Sequence, residues 1–170
     1  MKIRCRTLLL LALLSGKVCS ADSVNIGVTG NIVASPCIFN GGNNNLDVNL
    51  GNIQATNMAT PGSTSDPVPF SLLFTQCPTG TQSVTVAFTG SPDPEAGADY
   101  FMNSGSATHV AIAMRAAQTG ALKGTGTSMT QTIAADRTAT LAMLASVKSM
   151  TGGATPGSIR AVVVMTMQYN

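Results

Sequence analysis

The chain predicts an all-β domain, a sandwich of immunoglobulin-like type, and three observations carry that prediction. Apolar and polar residues alternate in six or seven separate runs. Turns rich in Gly, Pro and Asn break the runs apart. The stretch left after a removable leader holds two cysteines, Cys37 and Cys77, which in an exported chain are expected to pair.

The leader is read first because it distorts every total. Lys2, Arg4 and Arg6 precede the apolar run Leu8 to Leu14, and small residues close at Ser20. This is the pattern of a secretory signal peptide over residues 1–20, too short in its apolar part to span a bilayer. Cleavage is expected after Ser20, with Ala21 as the alternative. Lys2, Arg4, Arg6 and Lys17 leave with it, so nine bases become five against seven acids, and the formal charge of +2 becomes −2. A slightly acidic domain has no electrostatic footprint for nucleic acid, whose affinity is built on phosphate neutralisation. Cys5 and Cys19 also leave, so the Cys37–Cys77 bridge is expected in an oxidising compartment. Closing its loop is worth roughly 4 kcal/mol on a chain-entropy basis.

The first run is Val24 to Val33, with Val24, Ile26, Val28 and Ile32 on one face and Gly30 interrupting that row. It reads as a strand without a hairpin partner nearby, because the chain leaves through Ala34-Ser35-Pro36-Cys37. A second strand is expected at Leu46 to Ile53, where Leu46, Val48 and Leu50 alternate with Asp47, Asn49 and Gly51. Val68, Phe70, Leu72 and Phe74 mark a third, with Pro69 suggesting an irregular or edge start. Val84, Val86 and Phe88 mark the next, ended by Gly90-Ser91-Pro92-Asp93-Pro94 and followed by a polar loop to about Ser106.

Thr108 to Arg115 predicts a strand whose wet face holds His109, Ala111, Ala113 and Arg115. Gly120 to Thr132 is expected to carry a short hairpin. Thr140 to Val147 contains good helix formers, but Leu141, Met143, Ala145 and Val147 keep the two-residue period, so it is read as a strand. The last strand, Ile159 to Tyr169, carries the longest apolar row: Ile159, Ala161, Val163, Met165, Met167 and Tyr169. The absence of Trp argues against an antibody-like domain, in which a buried Trp packs on the disulfide.

Catalytic constellations are not found. His109 is the only histidine and no Gly-x-Ser-x-Gly elbow exists, so it is read as a solvent-facing strand residue. One histidine and two bridged cysteines leave zinc without ligands. Asp93, Glu95 and Asp99 crowd one loop without the spacing of a calcium loop. Gly120 to Gly126 lacks the phosphate-cradling pattern, and two tyrosines without Trp offer little platform for stacking sugars. No enzyme activity, metal or cofactor is expected; the chemistry lies in surface and backbone.

The two ends together resemble the pilin subunits of the chaperone-usher pathway, most closely the minor subunits of type 1 fimbriae. At the C-terminal end Gly157 stands fourteenth from the last residue, the alternating row follows, and Tyr169 is penultimate. At the N-terminal end the row Val24, Ile26, Val28, Gly30, Ile32 precedes Pro36-Cys37. Val48-Asn49-Leu50-Gly51-Asn52-Ile53, Cys77 and Gly152-Gly153-Ala154-Thr155-Pro156-Gly157 also fit the family.

The resemblance implies a sandwich lacking its last strand, so that residues 37–170 form a pilin domain and residues 21–36 a donor-strand extension. Gly157, Ile159, Ala161, Val163, Met165, Met167, Tyr169 and Asn170 would then form the wall of an acceptor groove, with the Asn170 carboxylate anchored by bases of a periplasmic chaperone. Val24, Ile26, Val28, Gly30 and Ile32 would fill a neighbouring subunit's groove. It further implies export through the periplasm to the fimbrium, neighbouring pilins and an outer-membrane usher as partners, and a minor or adapter role. A single-domain fimbrial adhesin binding a host receptor or glycan is the alternative.

Overall fold

A computed structural model describes residues 23–32 and 36–170. The signal peptide with its cleavage site, and Val33 to Ser35, lie outside the described residues. Residues 23–32 and residues 36–170 belong to separate compact units. The former carry no strand ladder, and Val24, Ile26, Val28 and Ile32 are all exposed. The strand expected there is therefore corrected: alternation gives a segment two faces, but a strand exists only once another backbone takes its hydrogen bonds.

Residues 36–170 form two antiparallel sheets. The larger has the order β1-β2-β8-β6-β5-β4, from β1 (Ile38–Phe39), β2 (Val68–Thr75), β4 (Pro92–Asp93), β5 (Gly97–Met102), β6 (Ala111–Ala116) and β8 (Ala139–Lys148). The smaller has the order β7-β3-β9, from β3 (Ser83–Gly90), β7 (Ser128–Thr132) and β9 (Val163–Tyr169). The core lies between them, with Leu72, Phe74, Leu141 and Met143 of one sheet facing Val84, Val86 and Phe88 of the other. Tyr169 of β9 meets Phe74 of β2 edge-on at 6.4 Å between ring centroids, and Phe39 packs on the same ring at 5.3 Å. The Cys37–Cys77 disulfide forms, buried at this end of the core.

The helix formers of β8 yield to tertiary context. Flanked by β2 and β6, it fills both its hydrogen-bonding edges and buries Leu141, Met143, Ala145 and Val147.

Several expectations are corrected. Leu46 to Ile53 keeps its alternating half-burial but joins no ladder. The polar loop after β3 contains the hairpin β4–β5, closed by Asp93, whose Oδ1 accepts the Glu95 and Ala96 N–H groups at 3.0 and 2.8 Å. Asp93 thus serves as the acceptor that closes this turn. The strand after it starts at Ala111, and Ala111 and Ala113 are buried rather than wet. His109 sits before that strand in a left-handed turn, φ 58°. Its Nδ1 lies 3.4 Å from Glu95 on a half-exposed surface. Gly120 to Thr132 forms no internal hairpin; β7 pairs with β3, and Leu122 makes an isolated bridge to Arg115. The last strand begins at Val163 rather than Ile159, because the segment before it is bonded elsewhere.

Candidate functional site: an open groove beside the C-terminal strand

β9 ends its sheet. Among the described residues its ladder partner is β3 alone, in the register Val84↔Tyr169 through Gly90↔Val163, and its other edge faces a groove of about 1040 Å³. One wall is residues 157–165 with Met167, the other is residues 44–53, and Phe70, Leu72, Ile112, Met114 and Ala145 form the floor. Leu46 packs toward the cluster that holds Met167 and Tyr169, while Leu50 and Ile53 pack with Met58, Val110 and Val147 beside Ile159. A second hollow of about 180 Å³ adjoins this end, sharing Ile53, Gly157 and Ile159 with the groove.

Both walls carry unmatched backbone. Within residues 46–53 no main-chain group enters a ladder with another described residue, and the Gly51 N–H is met by the Asn49 side chain at 2.9 Å. Two facing strips of free backbone with apolar side chains between them are what a sheet presents where one strand is absent. Residues 46–53 span roughly 27 Å when extended at about 3.4 Å per residue, so the gap is of single-strand length.

The upper part of the C-terminal wall is held by side-chain and main-chain hydrogen bonds to the loop after β5. Asn103 Oδ1 accepts the Gly105 and Arg160 N–H groups at 3.0 and 2.8 Å, while its Nδ2 donates to Ala107 O at 2.8 Å. Ser104 N–H donates to Arg160 O at 2.7 Å and Ala107 N–H to Ser158 O at 3.1 Å. Thr108 and Thr155 add a further rung, the Thr108 N–H donating to Thr155 Oγ1 at 3.0 Å. Gly105 and Gly157 permit the approach, since a Cβ at either would strike the opposing backbone. The C-terminal segment therefore crosses from the loop after β5 onto β3, which is why regular pairing starts only at Val163.

Of the groove residues expected from sequence, Gly157, Ile159, Ala161, Val163, Met165 and Met167 line the groove. Tyr169 instead packs on Phe74, its hydroxyl 3.5 Å from Met167 Sδ, and burial pushes its phenol above the ordinary range. Asn170 extends the ladder, exchanging N–H and C=O bonds with Ser83 at 3.1 Å each. Missed among the site residues were the floor, the facing wall from Leu46 to Ile53, and Asn103. The facing wall and the floor residues Phe70, Leu72 and Ala145 had a signal in sequence, their alternation; Asn103 had none. The groove contains no gathering of metal ligands, and none of three or more His, Cys, Asp or Glu exists among the described residues.

Residues 26–170 match the family described as Fimbrial protein. The chain belongs to that family. It is 30% identical over 161 residues to Protein FimG of Escherichia coli (strain K12), a match covering 95% of this chain and 93% of the relative. It is 34% identical over 152 residues to the uncharacterized fimbrial-like protein YdeR of the same strain, covering 89% and 87%. The P pilus rod subunit PapA shares its fold, with a TM-score of 0.66 at 23% identity over 80% of this chain and all of that one. The architecture is accordingly the incomplete immunoglobulin-like fold of pilins. The pilin is a structural subunit of a fimbria, exported and assembled at the cell surface.

Proposed function

We propose that this pilin polymerises by donor-strand exchange, as a minor or adapter subunit, with a strand from another molecule filling the groove beside β9. The observation that carries the reading is the one-sided pairing of β9, whose apolar row Val163, Met165, Met167 is only half-buried. In the periplasm a chaperone strand occupies the groove, with the Asn170 carboxylate held by chaperone bases, and the usher mediates replacement by the extension of the next subunit. Residues 21–36 of this chain, freed by removal of residues 1–20, fill the groove of its other neighbour. Main-chain bonds supply affinity, and alternate side chains set register. The protein works through these surfaces and not by catalysis.

The energetics suit the reading. Burying Val24, Ile26, Val28 and Ile32 contributes roughly 6 to 12 kcal/mol gross, at about 1.5 to 3 kcal/mol each. A whole domain's margin is about 5 to 15 kcal/mol. A synthetic peptide of residues 21–36 is expected to bind a donor-free pilin of the same system and raise its melting temperature sharply; no rise sinks the reading. The Gly30→Leu peptide is expected to fail. In the full chain that substitution spares the fold, because a Cβ at Gly30 meets nothing within 4 Å, yet it stops incorporation into fibres.

A further inference from the structure

The methionines of this chain fall into environments that differ sharply. Met58 and Met143 are fully buried in the core, whereas Met102 and Met150 are 40% and 39% exposed away from the groove. Met114, Met165 and Met167 line the groove, Met114 on its floor with 8% of its surface exposed and the other two half-buried on the C-terminal wall. Met165 and Met167 stand opposite Phe88 and Val86 of β3, so their inner flanks are packed and their outer flanks open to the groove. The same groove is lined by the apolar side chains of Leu46, Leu72, Ile112 and Val163, with asparagines of residues 44–52 and Arg160 along its walls. Apolar side chains of a strand seated in this part of the groove would lie beside these thioethers.

We propose that Met114, Met165 and Met167 form an oxidation-sensitive site, at which sulfoxide formation blocks strand capture while the groove is empty and from which a bound strand excludes the oxidant. The inference rests on the groove's proposed role as a strand acceptor. The oxidant is a two-electron peroxide such as hydrogen peroxide. Its terminal oxygen passes to the thioether sulfur, the O–O bond breaks, an S–O bond forms, and the peroxide leaves as water. The product is a polar, chiral side chain in place of a flexible apolar one. Within a filled groove an S=O oxygen held among Leu72, Ile112 and Val163 would lose water without gaining a donor, the costly case of a buried acceptor without a partner.

The test exposes the full chain to a brief dose of hydrogen peroxide and maps methionine sulfoxide by peptide mass spectrometry. It is done with the groove empty, and again after saturation with the best-binding peptide among the N-terminal extensions of this chain and its companion subunits. Sulfoxide at Met114, Met165 and Met167 is expected to fall several-fold when the peptide is bound. Met102 and Met150 are expected to react alike in both states, and Met58 and Met143 in neither. Chain oxidised while empty is expected to bind the peptide about ten-fold or more weakly, from about 1 to 3 kcal/mol per unpaired buried group.

The combined Met114→Leu, Met165→Leu and Met167→Leu variant keeps side-chain volume and apolarity. Whatever its own starting affinity, it is expected to bind the peptide as tightly after the dose as before it. Equal oxidation of the groove methionines with and without peptide overturns the proposal, as does an equal loss of affinity in the leucine variant. If no extension peptide binds even untreated chain, the acceptor reading itself fails and the inference falls with it.

Discussion

β8 and β9 are the same kind of sequence in different surroundings. Each carries apolar residues at every second position, and each belongs to an antiparallel sheet. β8 lies between β2 and β6, and Leu141, Met143 and Val147 have no exposed surface at all. β9 has β3 on one side and the groove on the other, so Val163, Met165 and Met167 stay half-buried, and Val164 on the outer face is 59% exposed. Alternation therefore reports which face of a strand is apolar, whereas the degree of burial reports whether its neighbours are all present.

Truncation in the two strands sharpens this contrast most. Leu141→Ala is expected to cost about 2 to 5 kcal/mol whether or not a donor peptide is bound, since its cavity opens in a closed core. Met165→Ala is expected to cost about 1 kcal/mol with the groove empty, rising toward the Leu141 range once a peptide covers it. Denaturant titration with and without peptide measures both, and equal costs at Met165 in the two states would break the comparison.

The clasp at the head of the C-terminal wall is next. Asn103→Ala leaves the Gly105 and Arg160 N–H groups without their acceptor and is expected to cost about 1 to 3 kcal/mol. Amide exchange at Arg160 should accelerate while exchange in β8 keeps step with global stability. Uniform acceleration throughout the domain would show that Asn103 supports the whole sandwich rather than this wall.

The smallest effect concerns alkaline pH. Burial raises the Tyr169 phenol above its ordinary value of 10.0. As pH rises past that value the unfolded chain loses the proton first, so the contribution is complete below pH 10 and lost as pH climbs through the folded value. Tyr169→Phe is expected to flatten the alkaline fall in melting temperature. An unchanged slope would mean that the phenol is as well solvated as in an open chain.

Much of the fold was legible because period-two alternation survives in every long strand: β2, β3, β8 and β9 appear where their apolar rows predict. The hairpin β4–β5 was not, since its turn depends on Asp93 binding main-chain N–H groups in a stretch that reads as polar loop. Nor was the start of β9 legible, because Ile159 and Ala161 continue the row while Asn103, a side chain over fifty residues away, takes the hydrogen bond of Arg160. The faces of Ala111 and Ala113 were misjudged for a related reason. Alanine's small apolar side chain suits either face, and the residues that cover it come from elsewhere in the chain.

By itself the sequence determined the strand-forming rows, the cysteine pair and the presence of an apolar segment ahead of Cys37 with no partner in reach. These depend on local spacing and residue chemistry, which a linear chain displays directly. Only the tertiary structure decided that residues 46–53 and the C-terminal wall face one another across an open gap, with Met114 beneath them. That arrangement is a relation among distant segments, created when the two sheets close on their common core and leave one edge without a strand.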